Sequence, residues 1–527
     1  MNAEGQSDLI AFLRAPVSYG LAGPVEVIET HISRIFLVGD RAFKTKRAVR
    51  LPYVDFSTAD LRLAACRREV ELNNATAPGI YLGARRITRQ ADGGLAFDGD
   101  GPLVDAAVEM RRFDQTALFD RMAGAGRLTP ALMTKTARMI ADFHHHAPIA
   151  HSDGGAENIE GVLDINRAGF ATSRLFRNAE VARLDLTFRA ALRRHAALLD
   201  RRESAGKVRR CHGDLHLRNI CLIDGLPRLF DCIEFNDRIA TVDVLYDLAF
   251  LLMDLHHRQL GDLANLVANR YLDETDDEDG FVLPSFFMAI RAAERAHVTA
   301  TQAQESGDPS GVLSQEAKAY FLFADKLLDA HPGRLVVIGG LSGAGKTTVA
   351  EQLAPLIDPP PGARIVESDR IRKAMHGVPA ETRLPEEAYR PEVSDRVYRD
   401  MVARAARILD QGGSVVADAV FDRQPDRDRI AQMAHDQNIP FLGVWLETTP
   451  AVLRDRVEGR EQSPSDATID ILSRQLQRDV GTLDWRRVDA GRDVGAIVRE
   501  ILSLPADDVA GPPDRPRSIV CTRLNLL

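Results

Sequence analysis

One eight-residue stretch constrains this chain more than any other: Gly340 to Thr347, GLSGAGKT, placed one residue after the apolar run Leu335-Val336-Val337-Ile338. It fits G-x-x-x-x-G-K-[ST], and a helix-forming run from Val349 to Leu356 follows it. The chemistry of that pattern is anion binding. Glycines let the backbone N–H groups of a loop curl around β- and γ-phosphates, the lysine supplies a point charge, and the hydroxyl after it ligates Mg²⁺. Gly340, Ser342, Gly343, Ala344, Gly345, Lys346, Thr347 and Thr348 are therefore the expected nucleotide contacts, with Thr347 also a metal ligand. ATP is the expected nucleotide, and GTP is compatible with the same loop. A glycine-rich helix cap imitates the glycines but has no reason to supply Lys and Thr together after a buried strand.

The loop lies late in a long chain. At 527 residues the polypeptide exceeds what one hydrophobic core usually supports, so two or three domains are expected. Net charge is -9 and mixed along the sequence, which argues against a general nucleic-acid or membrane-surface binder. No basic stripe interleaved with aromatics is present, so nucleic acid is not an expected partner. Five scattered cysteines (Cys66, Cys211, Cys221, Cys232, Cys521) form no C-x-x-C pair and read as reduced thiols of a cytoplasmic protein. No secretion signal is visible at the N-terminus, and the greasiest stretch, Leu248 to Leu255, is too short to span a bilayer. Oligomeric state is left open.

Upstream of the loop, Ile32 to Val38 and Arg41 to Val49 read as a β-hairpin around Gly39-Asp40. The second strand carries Lys44 and Lys46, and one of them can pair with nucleotide phosphates; solvated strand lysines are the plain alternative. A helical stretch, Ser57 to Asn73, offers Glu69 as partner to such a lysine, with Lys44 the choice for the pair. Helix Pro130 to His146 ends in three consecutive histidines. They cannot all face one point, because successive helical residues turn by about a hundred degrees, so a helix end is expected there and no metal site. The acidic run Asp273 to Asp279 reads as solvated surface.

The segment Cys211 to Asp237, CHGDLHLRNICLIDGLPRLFDCIEFND, holds a second constellation. Phosphoryl transfer needs a carboxylate to orient the attacking hydroxyl and oxygen ligands to hold Mg²⁺ against the triphosphate. Asp214, Asn219 and Asp231 supply that set in order. His212-Gly213-Asp214 with Asn219 and Asp231 resembles the H-G-D-x-x-x-x-N and D motifs of the aminoglycoside phosphotransferase and choline kinase group. The resemblance implies a kinase-like α+β fold, a small β lobe and a helical lobe, over residues 1–330. It also implies Asp214 as catalytic base, Asn219 and Asp231 as magnesium ligands, His212 as a brace, and Asp243 and Asp247 as residues that order the loop. No G-x-G-x-x-G loop lies between Glu26 and Phe36, and no signature names one acceptor.

After the phosphate loop, a strand Ala363 to Val366 ends near Asp369, with a helix expected from Ile371. Ligand-facing residues of open parallel sheets lie at strand C-termini, so Asp369 is a candidate to align a substrate hydroxyl, and a helix N-cap is its alternative. Arg372 and Lys373 can bind an acidic group. The strand Ser414 to Ala419 carries Asp418, in position to hold Mg²⁺, and a fourth strand, Phe441 to Leu446, precedes a helix from Pro450 that bears Arg456 and Arg460 at i, i+4, a pair able to neutralise charge over a bound triphosphate, with plain surface charge its alternative. From Arg334 to Leu504 this order resembles the P-loop small-molecule kinases: gluconate kinase, chloramphenicol phosphotransferase and the zeta-toxin type. The resemblance implies an α/β P-loop NTPase domain over 331–505 with a parallel sheet of 2-3-1-4-5 order, and Arg456 and Arg460 as catalytic lid arginines beside Asp369. Residues 506–527 read as an irregular tail. The expectation is an ATP- and Mg²⁺-dependent phosphotransferase with two sites acting on small hydroxylated molecules. A nucleotide-controlled regulator and a toxin-like kinase are the alternatives.

Overall fold

Two residues of a tight turn start the first sheet. Val38 pairs with Arg41, which leaves Gly39-Asp40 as the turn, and Gly39 takes φ +53°. The computed structural model describes residues 3–21, 23–30, 32–51, 54–151, 154–459 and 465–505. These divide into two compact units, one built on residues 1–330 and one on residues from 331 onward.

In the first unit six antiparallel strands lie side by side in the order Glu26–Glu29, Ser33–Val38, Arg41–Lys46, Leu103–Arg111, Tyr81–Arg89 and Leu95–Phe97. Helix Ala59–Asn74 starts where the Thr58 hydroxyl accepts the Leu61 amide, a cap of the usual kind. It lays Leu63 and Cys66 against Ile80, Tyr81 and Val108, so sheet and helix form one lobe. A second, helical part packs Pro130–His146, Gly155–Thr172, Asn178–Ser204, Val244–His257, Gly261–Thr275, Leu283–Ser306 and Val312–Leu327 around Met133, Leu251, Phe287 and Ala293. Leu248–Leu255 is the buried length of one of these helices. Among the described residues no helix is long and apolar enough to cross a membrane.

The acidic run is solvated at Glu274, Asp276 and Asp279, as expected, but not at Asp277 and Glu278. Asp277 is 4% exposed and Glu278 fully buried, because Arg202 enters from helix Asn178–Ser204 and donates to both Asp277 oxygens at 2.7 and 3.0 Å. The same guanidinium donates to Asp243 at 2.7 and 2.9 Å. A buried arginine with two carboxylates is charge-satisfied where a surface run was expected.

The second unit carries a five-stranded parallel sheet in the order Arg364–Glu367, Val415–Asp418, Leu335–Gly339, Phe441–Glu447, Arg486–Asp489, the 2-3-1-4-5 arrangement. Its central strands are continuous apolar runs because helices cover both faces. Val336, Ile338, Val416 and Val444 meet Val349, Leu353 and Ile497 in the core. The helix after the second strand begins at Ser368, three residues earlier than the sequence suggests. Asp369 thus sits in the first helical turn, and the residue in the N-cap position is Glu367, so capping does not explain Asp369.

Candidate active sites

Alternation along strand Arg41–Lys46 sends Lys44 and Lys46 to the same face, toward helix Ala59–Asn74. There Glu69, fully buried, gives one oxygen to each: Lys44 Nζ at 2.8 Å and Lys46 Nζ at 2.6 Å. Their other partners differ. Lys44 also pairs with Asp231, whereas Lys46 pairs with Glu234, a residue the sequence did not single out. Burial alone would lower the Lys44 pKa; Asp231, Glu69 and Glu234 outweigh it and hold the ammonium charged. Burial would likewise raise Glu69, but the two lysines keep it well below the usual carboxylate range. Lys44, ion-paired with the more exposed Asp231, is the lysine that faces the open side of the cluster.

The hairpin Ile220–Ile223/Leu226–Leu229 turns at Asp224-Gly225, both at positive φ, and its second strand delivers Asp231. Asp231 takes φ +61° and its amide donates to the Tyr81 hydroxyl at 3.0 Å. A non-glycine residue in that region marks a site over-determined by its surroundings. Across the loop, the Asn219 amide donates to the Asp214 backbone carbonyl and to Asp214 Oδ2, both at 2.9 Å. His216 Nε2 lies 3.4 Å from Asp214 Oδ1. Burial would raise Asp214, yet His216 and more distant Arg291 outweigh it and hold the carboxyl far below the ordinary value. Asp214 is therefore an ionised acceptor suited to orienting a hydroxyl.

Burial keeps His212 neutral, and its two contacts assign its tautomer: Nε2–H donates to Phe230 O at 3.0 Å and Nδ1 accepts the Asp214 amide at 3.3 Å. Asp247 anchors this loop from beneath, accepting the amides of His212 at 3.2 Å and Gly213 at 2.7 Å. Its Oδ2 also meets His144 Nε2 at 3.1 Å, and His144 Nδ1 meets the Tyr271 hydroxyl at 2.9 Å. Of the three histidines at the helix end, then, the first turns inward and braces the loop; sequence spacing alone did not reveal this role. Cys211 brings its sulfur within 4.8 Å of this pair, but both His144 nitrogens and both Asp247 oxygens already have protein partners.

In the second unit the loop between Gly339 and Lys346 requires its glycines. A Cβ on Gly343, at φ +87°, would lie 2.5 Å from Leu453 O, and one on Gly340 2.6 Å from Leu446 O. Helix Lys346–Leu353 follows, and Lys346 Nζ folds back to donate to Leu341 O at 3.3 Å. Thr347, in the first turn of that helix, donates to Asp418 Oδ2 at 2.6 Å, tying the helix to the C-terminal end of the strand Val415–Asp418. Burial pushes the Asp418 carboxyl up to about 6, with Lys346 and Thr347 opposing it and Asp369 adding to it. Burial also raises Asp369, against Arg372 and the Ser465 hydroxyl.

Beside Asp369 lies a group the sequence did not assemble. Asp466 Oδ2 accepts Lys373 Nζ and the Tyr389 hydroxyl, each at 2.5 Å, and the Leu384 amide at 2.9 Å. Arg372 stacks over Tyr389 at 4.6 Å, donates to Ala388 O at 2.7 Å, and keeps its buried Nε without a hydrogen-bond partner. Arg456 donates to Ala490 O at 3.0 Å, and its Nη1 lies 3.8 Å from where a Gly345 Cβ would sit, so it borders the loop. Arg460 lies outside the described residues, as do Cys521 and the tail 506–527.

The donor sets fit Mg²⁺ and a nucleotide: hard oxygens from Asn219 and Asp231 in one unit, and in the other the Thr347 hydroxyl and buried Asp418 carboxylate next to a glycine-rich loop. Fold and site together define a two-domain chain, a kinase-like phosphotransferase unit followed by an α/β P-loop unit. The model of the phosphotransferase enzyme family matches residues 96–281, and that of an AAA domain matches residues 335–479. Uncharacterized proteins of Mycobacterium tuberculosis and Mycobacterium bovis are similar over most of their length, each 27% identical over 500 residues and covered to 93%, as is this chain. Among solved structures, a choline/ethanolamine kinase family protein from Mesorhizobium loti is similar at 14% identity and TM-score 0.40, over 62% of this chain and 95% of that one. A sugar kinase from Janibacter is similar at 23% identity and TM-score 0.25, over 34% of this chain and 96% of its own.

Proposed function

We propose that the chain is an ATP- and Mg²⁺-dependent phosphotransferase with two separate transfer sites, each acting on a small hydroxylated molecule in the cytoplasm. The observation that carries this reading is that each unit gathers, from separate elements, a lysine for phosphate and oxygen ligands for a divalent cation: Lys44 with Asp231, and Lys346 with Thr347 and Asp418. Mg²⁺, when bound, would neutralise phosphate charge, held by Asn219 and Asp231 in the first unit and by Thr347 and Asp418 in the second.

The chain's own residues then position and neutralise, which is most of what in-line phosphoryl transfer asks of a protein. In the first site Asp214 accepts the hydrogen bond of the acceptor hydroxyl, held in place by Asn219, while Glu69 fixes Lys44 for the phosphates. In the second, Lys346 and the loop amides grip the phosphates, Asp369 aligns the acceptor, and Arg456 supplies positive charge at the loop edge. Arg372, with a donor to spare, takes a polar group of that acceptor.

Assaying Asp214→Ala and Lys346→Ala separately for acceptor-dependent ADP release tests the reading. Each is expected to lose one activity and keep the other. If one variant kept the whole activity and the silenced half turned over no acceptor, the two-site reading fails. Nucleotide binding with no acceptor-dependent turnover in either would make the chain a nucleotide-controlled regulator instead.

A further inference from the structure

We infer that the first site selects acceptors that carry an oxyanion, a phosphate or carboxylate, alongside their hydroxyl groups, and that it rejects cationic acceptors. The inference rests on reading the Asp214 site as a phosphotransferase, and it names the substrate class of that site. Its basis is a cavity of about 730 Å³ lined by Leu118, Asp120, Arg121, Arg218 and Arg258, of a size suited to a metabolite. The cavity adjoins the reactive loop. Arg218 immediately precedes Asn219, and Leu118 bridges by its backbone to Cys221, two residues beyond it.

The charges lining this cavity are unbalanced. Three guanidinium groups and one carboxylate line it, and of the three only Arg258 has a carboxylate within hydrogen-bond distance among the described residues, Asp254. Arg258 is tied to the loop through Asp254, whose Oδ1 accepts its Nε at 2.8 Å and whose Oδ2 accepts the Leu217 amide at 3.1 Å. Arg121 has no ion-pair partner among the described residues, and Arg218 is 64% exposed, with its Nε 3.7 Å from Asp120 Oδ2, too far for a hydrogen bond. Asp120 Oδ1 is buried and has no hydrogen-bond partner. A buried carboxylate oxygen without a donor is costly, and a ligand hydroxyl satisfies it. Arginines with free donors match the planar oxygens of phosphate or carboxylate. A polyamine or quaternary ammonium acceptor would instead meet like charge from Arg121 and Arg218.

The test uses the full chain carrying Lys346→Ala, so that only the first site can turn over. Its panel is a neutral hexose, the matching hexose phosphate, the matching hexonate and an aminoglycoside. Turnover is expected with the phosphate or the carboxylate compound, at kcat/KM about tenfold or more above the neutral hexose, and the two arms tell which oxyanion is preferred. Adding Arg121→Glu and Arg218→Glu together is expected to raise KM for the preferred acceptor by about tenfold or more; both side chains are exposed, and an unchanged Tm verifies the fold. Equal use of the neutral hexose or the aminoglycoside overturns the inference, as does an unchanged KM in the double variant. If no panel member is turned over, the phosphotransferase reading of this site fails, and calorimetric titration with hexose phosphate and hexonate decides the pocket by itself. Binding abolished by the double variant upholds an oxyanion pocket; no binding, or binding unaltered by the variant, overturns it.

Discussion

Lys44 and Glu69 meet at 2.8 Å, and the same carboxylate holds Lys46 at 2.6 Å through its other oxygen. Two lysines of one strand thus share an anchor while their second partners, Asp231 and Glu234, separate their roles. Lys46→Ala leaves Glu69 and Glu234 buried with one cation fewer, so its main expected effect is on stability, a loss of about 3–5 kcal/mol in urea unfolding. Lys44→Ala is expected to raise the KM for ATP and lower kcat at the first site by about a hundredfold, with a smaller loss of stability. Measuring both quantities on both variants separates the roles; equal effects would show that the lysines are interchangeable.

His144→Ala removes the ring between Asp247 and Tyr271. Asp247 keeps its two amide donors but loses a buried partner, for an expected cost of about 1–3 kcal/mol, and loop misplacement lowers Asp214-dependent turnover while leaving Lys346-dependent turnover unchanged. Denaturant titration and separate assays of the two activities check this.

Asp418 is 2% exposed, and burial pushes its carboxyl up to about 6 from an ordinary 3.8. The folded chain therefore binds an extra proton across the interval between those values, so this group makes stability fall as pH rises through it, by about 3 kcal/mol at most. Mg²⁺ requires the ionised form, so its affinity at this site is expected to fall as pH drops below 6. Asp418→Asn should flatten the dependence of Tm on pH over that interval and abolish Mg²⁺-dependent turnover at the second site. A variant whose Tm tracked pH as the parent does would refute the assignment.

Gly343→Ala places a methyl group 2.5 Å from Leu453 O at a backbone φ of +87°. The loop must shift, and nucleotide binding at the second site is expected to weaken by about tenfold or more, read by calorimetry on full chain bearing Lys44→Ala to weaken the first site. Gly345→Ala is strained in φ but meets only Arg456 at 3.8 Å, so the smaller loss is expected there.

What the sequence made legible is what lies close along it. The phosphate loop is contiguous, Asp214, Asn219 and Asp231 fall within one loop and hairpin, and Asp418 ends an apolar run, so each could be placed from spacing and strand ends. Partners brought together by tertiary packing were beyond reach. His144 and Asp247 are 103 residues apart, Lys46 and Glu234 188 apart, and Asp466 collects Lys373 from 93 residues away. The burial of Asp277 has the same cause: nothing local to it announces that Arg202 will arrive from another helix. The helix expected from Ile371 starts three residues earlier, at Ser368, which places Asp369 in its first turn and not between strand and helix.

Asp247 joins three separate segments: helix Pro130–His146 through His144, the loop through the His212 and Gly213 amides, and its own helix Val244–His257. Those two amides cannot reach solvent unless that junction parts, and the junction is packed into the largest core of the unit. Their hydrogen exchange should therefore be as slow as the opening of the helical core itself, so the loop that carries Asp214 frays only when its foundation does.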